Sequence, residues 1–144
     1  TYTKLYFNRL MPDITIKYDG ELRTTATHLQ SGSIISTDAP TDNKGKGEKF
    51  SPTDLFATAL GSCMLTIMGI TSQTYGFNIK GSNIQINKIM GKNPRRVSHI
   101  KIIININGEL TDKEKQLLIK AAKHCPVSKS IHPEIKEEVV FNFN

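Results

Sequence analysis

Two cysteines and a few arginines are the residues of this chain whose types could do chemistry. Cys63 lies inside SPTDLFATALGSCMLTIMGI (51–70) and Cys125 inside HCPVSKSI (124–131). Redox chemistry at a thiol needs a nucleophilic thiolate and a cation that stabilises it. It also needs a second thiol that traps the sulfenic acid before it oxidises further. Cys63, an arginine and Cys125 can fill these roles. Taken alone, Cys63 reads equally as a small buried hydrophobe. Cys125 changes the balance, because Pro126 suits a first helical position and a helix start there favours a thiolate. On chemistry alone, Cys125 is the more activated thiol.

Together the two motifs resemble those of the OsmC/Ohr superfamily, which contains osmotically induced proteins and organic hydroperoxide resistance proteins. The resemblance covers about Ile14 to Phe143. It implies that Cys63 is the peroxidatic residue and Cys125 the resolving one, the reverse of the ranking from helix position. It further implies an intertwined homodimer, an organic hydroperoxide substrate and an external dithiol reductant, with no cofactor. Arg23, after the Asp19-Gly20 turn, is the candidate for the family's catalytic arginine; Arg9, Arg95 and Arg96 are weaker ones. The hydroperoxide resistance branch holds its arginine with a glutamate at the position occupied here by Thr53. Asp54 is nearby but faces away from Cys63 at about 100° per residue, so Glu48 is the carboxylate expected to reach an arginine. The alternative function is a redox sensor or a small-molecule binder without turnover.

The element that must present Cys63 is a helix opened by Ser51 as N-cap, Pro52 at the first position and Asp54 as box partner. Its apolar residues cover every face, which predicts burial all round, within one chain or between two subunits. The uncharged run from Leu55 reads as short for a membrane span. Phe56, Leu60, Met64 and Ile67 are the candidates to line a substrate pocket, the rest of the helix being core.

Around that helix the chain reads as α+β: antiparallel sheets packed against the central helix and a second one. Alternation at Ile14, Ile16 and Tyr18, the Asp19-Gly20 signal and strands over 22–28 and 34–36 predict an N-terminal sheet. The turn-rich stretch 38–49 reads as a surface loop. Strands are expected over 78–87, 97–106 and 137–143, and a helix from Thr111 with Glu114 as its capping partner. His124 is read as the end of that helix, and Cys125 as the start of a short new one.

The 144 residues fit one domain, Met11 to Asn144, with Thr1–Leu10 as an extension or added residues. A net charge of +6 is spread through the chain and Trp is absent, which argues against nucleic-acid binding. His28, His99, His124 and His132 lack ligand spacing, so no metal site is expected. Two cysteines without an apolar leader suggest a reducing cytoplasm and a transient disulfide.

Overall fold

The computed structural model describes residues 12–144, which fall into two compact units, one ending at Pro52 and one spanning Thr53–Asn144. The expected extension Thr1–Leu10, with Arg9 in it, lies outside the described residues.

The first unit is a three-stranded antiparallel meander, β1 (Ile14–Gly20), β2 (Arg23–His28) and β3 (Ile34–Asp38), in that order. The expected hairpin is present, but its turn is not Asp19-Gly20. A register shift between Tyr18 and Gly20 lets Gly20 pair with Arg23, so Glu21 and Leu22 make the turn, at φ 50° and 63°. Two-residue hairpins favour positive φ at both positions because that geometry matches the strand twist. Tyr18 Oη accepts the Leu22 N–H at 3.2 Å, and Leu22 O accepts the Ala39 N–H at 3.0 Å. The third strand runs two residues beyond expectation, to the buried pair Thr37 and Asp38. Asp38 is therefore a strand residue, not part of an exposed loop. The Phe50 segment returns beside Thr37, where Phe50 O accepts the Asp38 N–H at 3.1 Å.

In the second unit, α1 (Pro52–Tyr75) is followed by β4 (Asn83–Gly91) and β5 (Arg96–Ile106), α2 (Asp112–Lys123) and α3 (Pro126–Ser130), and finally β6 (Lys136–Phe143). The strand expected over 78–87 begins only at Asn83. Asn78 and Gly81 instead form a turn, in which Asn78 Oδ1 accepts the Lys80 N–H at 2.7 Å and Gly81 takes φ 92°. β4 and β5 are antiparallel, but β5 and β6 run parallel, which corrects the expectation of wholly antiparallel sheets. Parallel neighbours need a long crossover, and α2 and α3 supply it.

The core lies between this sheet and its helices. Ile100, Ile102, Ile104 and Ile106 alternate along β5 and are buried with Leu60, Met64 and Met68 of α1, Leu118 and Ala122 of α2, and Cys125. Burying each such large apolar side chain contributes about 1.5–3 kcal/mol.

Within one chain burial of α1 is one-sided, so the all-round burial its composition predicts is not met by this chain alone. The buried residues are Ala57, Leu60, Gly61, Met64, Met68 and Ser72, a single stripe at helical spacing, whereas Ile70 and Tyr75 are exposed. With mean hydropathy 1.6 over its most apolar window, the helix is long and apolar enough to cross a membrane by length and composition. That corrects the reading of the run as too short. Its packed stripe nevertheless identifies it as a core helix. Four threonines on it satisfy themselves locally, as when Thr66 Oγ1 donates to Ser62 O at 2.8 Å. Gly61 is the point of close approach: a Cβ there would lie 2.5 Å from Ile86 Cδ1 of β4.

Candidate active site

Cys63 sits midway along α1, one residue before the buried Met64, and is itself only partly buried. Cys125 is fully buried between α2 and α3. The capping box expected for α2 is formed: Thr111 Oγ1 accepts the Glu114 N–H and Glu114 Oε2 accepts the Thr111 N–H. At its other end His124 caps the helix, its ring Nδ1–H donating to Lys120 O at 2.7 Å, so the imidazole is engaged with the backbone. The chain turns at once into α3, where Cys125 is the N-cap, Pro126 follows it and Cys125 Sγ accepts the Ser128 N–H at 3.3 Å.

These two segments bring the cysteines together: Cys63 packs against the core cluster that contains Cys125 and is close enough to act on its thiol, and both are free. Burial pushes the Cys125 thiol up, and the neighbouring Cys63 adds to this; the Ser128 N–H opposes but does not reverse it. The helix start expected to favour a Cys125 thiolate is thus present, but desolvation of a charge outweighs the Ser128 and Val127 N–H groups and the dipole of a five-residue helix.

Of the candidate pocket residues, Leu60 is fully buried, and Phe56 and Ile67 are partly buried against the core. Met64 lines a cleft of about 290 Å³ together with Lys123, Ser128, Glu137, Val139 and Phe141. Ser128 and Glu137 were not singled out by sequence. The available signal was phase, since Glu137 alternates in step with Val139, Phe141 and Phe143.

In the first unit, Arg23 opens β2 directly after the hairpin turn. Its Nε donates to Asp38 Oδ1 at 2.6 Å and its Nη2 to Asp38 Oδ2 at 2.9 Å and Glu48 Oε2 at 2.8 Å. β2–β3 register sets this pair, because Arg23 lies opposite Asp38. Asp38 Oδ2 also accepts the Glu48 N–H at 3.1 Å, tying the loop to the strand. The guanidinium holds the Asp38 carboxyl below its usual range, and hydrogen bonds to Asp38 and then Glu48 raise the Arg23 pKa. Glu48 meets an arginine, as expected of it. Asp38, the other carboxylate on Arg23, lies where the sequence reads as the start of a loop, and β3 extends to include it.

Asp54 is ion-paired with Lys88 on β4 at 2.9 Å. Arg96 Nη1 donates to Lys92 O and Pro94 O, closing the turn between β4 and β5. Among the described residues no group of three or more His, Cys, Asp or Glu could hold a metal ion.

Known proteins bear out the resemblance. Solved structures include a Psychrobacter arcticus protein provisionally named as an osmotic stress induced and detoxification response protein. It is 49% identical, with a TM-score of 0.89, over 93% of this chain and 98% of that one. An organic hydroperoxide resistance protein of Legionella pneumophila shares the fold, with a TM-score of 0.71 at 15% identity over 93% of this chain and 99% of its own. An uncharacterized protein of Methanocaldococcus jannaschii is 33% identical over 109 residues, 67% of this chain; the match spans only 53% of that longer relative. The family model for OsmC-like protein matches residues 45–140, and the chain belongs to that family.

Proposed function

We propose that the protein reduces organic hydroperoxides through its two cysteines. The observation that carries this reading is the proximity of a partly exposed Cys63 to a fully buried Cys125 in one core cluster. In the proposed cycle the Cys63 thiolate attacks the terminal peroxide oxygen and the O–O bond breaks. The alkoxide takes a proton and leaves as an alcohol, and Cys63 becomes a sulfenic acid. The Cys125 thiol then attacks that sulfur; its proton and the sulfenic hydroxyl leave as water, and a disulfide forms. An external dithiol restores both thiols and becomes a disulfide. The assignment of Cys63 to the attack rests on access, because a peroxide reaches a partly exposed sulfur before a buried one. Arg23, held charged and oriented by two carboxylates, is the cation of the proposal.

A second copy of the chain is the proposed partner. Ile14, Ile16, Tyr18 and Ile35 expose an apolar face of the β1–β3 sheet, and α1 leaves Ile70 and Tyr75 exposed, grouped apolar side chains of the kind that mark protein interfaces. A monomer in light scattering at micromolar concentration would overturn the dimer. The cycle is placed in a reducing, cytoplasmic setting, which keeps both thiols free between turnovers.

The function is tested by steady consumption of cumene hydroperoxide with dithiothreitol as reductant. Continuous turnover is expected. One oxidation per chain without turnover points to a redox sensor, a reading that the replacement of the branch glutamate by Thr53 keeps in view. Thiols that survive the peroxide unchanged overturn both.

A further inference from the structure

Glu137 breaks the apolar pattern of its strand. Residues in phase with it on β6 are Val139, Phe141 and Phe143, and across the parallel ladder Ile100 faces Glu137 while Ile102, Ile104 and Ile106 face the other three. All four isoleucines are buried. A carboxylate therefore occupies an inward position that a valine would fill in keeping with the pattern. Its Oε2 accepts the Ser128 Oγ–H at 2.9 Å, but its Oε1 is buried and has no hydrogen-bond partner among the described residues. A carboxylate oxygen buried without a partner costs stability, so packing does not account for it.

What the acid does hold is α3. This helix has five residues, none of them buried, and is too short to be stable by itself. Its contribution to the cysteine pair is the Ser128 N–H on Cys125 Sγ, and the side chain of that same Ser128 is the one anchored to β6. We propose that Glu137 is a positioning residue for Cys125: by holding Ser128 it keeps the first turn of α3 in place, so that the Ser128 N–H stays on the sulfur. This rests on the reading of Cys63 and Cys125 as a redox pair. The buried Cys125 thiol must shed its proton as it attacks the oxidised Cys63, and the N–H is the group placed to stabilise the sulfur charge that develops.

The test isolates one thiol. In the Cys63→Ser background, Cys125 is the only cysteine, and its ionisation is followed by ultraviolet thiolate absorbance against pH. Glu137→Val and Ser128→Ala each cut the tether, and each is expected to lower the thiolate fraction below the midpoint about tenfold, the worth of one hydrogen bond to a charged group. Glu137→Gln keeps an oxygen acceptor for Ser128 and is expected to titrate as the parent does. Unshifted curves for Glu137→Val and Ser128→Ala overturn the proposal. So does a Glu137→Gln curve displaced as far as that of Glu137→Val, because the glutamine keeps the tether to Ser128. Thermal melts of each variant verify folding, and Ser128→Ala with Glu137→Gln decides the matter if Glu137→Val does not fold. Because no peroxide is used, the outcome stands apart from success or failure of the turnover assay.

Discussion

Arg23 and Asp38 form a two-point pair, Nε to Oδ1 and Nη2 to Oδ2, at directly opposed positions of β2 and β3. Asp38 is buried and its carboxyl is held below the usual range, chiefly by the Arg23 hydrogen bonds. A depressed carboxyl contributes stability that is present above the unfolded value, about pH 4, and is lost as pH falls through the lower folded value. The expected result is that Asp38→Asn is less stable at neutral pH and loses less stability on acidification. Urea midpoints from neutral to acid pH provide the check, and parallel profiles for the two proteins would refute it.

Gly61 and Ile86 predict a contrast between two substitutions. For Gly61→Ala the added methyl meets only the end of a flexible side chain, and the helix gains about 1 kcal/mol in propensity. Near-neutral stability is expected. Gly61→Val adds branched atoms against Ile86 and Ile84 and is expected to cost about 1–3 kcal/mol. Denaturant unfolding distinguishes the two; equal effects would mean that α1 does not pack tightly on β4 here.

Local signals in the sequence carried over well where the physics is local. Thr111 with Glu114 located a helix start, and Pro126 after Cys125 located another, because each satisfies backbone groups within a few residues. The nearly continuous β-branched run through Ile100 to Ile106 marked β5. What sequence could not carry was non-local. The direction of β6 depends on a crossover, and alternation reads the same in either direction. All-round apolarity of α1 could not say which stripe one chain covers. Asp38 looked like the first loop residue because nothing local reveals that Arg23 lies across the ladder. Glu137 escaped notice because acids at strand ends are ordinarily solvated. For the thiols, sequence reasoning weighed the helix terminus and lacked the burial that outweighs it.

The Glu21-Leu22 turn carries two non-glycine residues in the left-handed region. For an L-residue that conformation costs about 1–2 kcal/mol, whereas glycine adopts it freely at some cost in unfolded-state entropy. Leu22 is well exposed, so little packing is lost on removing its side chain. Leu22→Gly is expected to stabilise the protein by about 0.5–1 kcal/mol. An unchanged or lower melting temperature would show that the Leu22 side chain contributes more than its exposure indicates.

The division of labour between the thiols is testable through their different surroundings. If Cys63 attacks the peroxide, Cys63→Ser is expected to abolish consumption. Cys125→Ser should permit one oxidation and then accumulate sulfenic or sulfinic acid on Cys63, with no partner to close the disulfide. Because burial raises the Cys125 thiol, little of it is thiolate at neutral pH, and the rate of disulfide closure is expected to climb as pH rises toward its ionisation. Lower pH should therefore prolong the sulfenic acid in the wild type. Mass spectrometry after limiting peroxide, at several pH values, reads both effects: a Cys63–Cys125 disulfide that forms faster at higher pH agrees with the scheme. Inactivity of Cys125→Ser together with full activity of Cys63→Ser would reverse the roles, and with them the argument that access, more than helix position, selects the attacking sulfur.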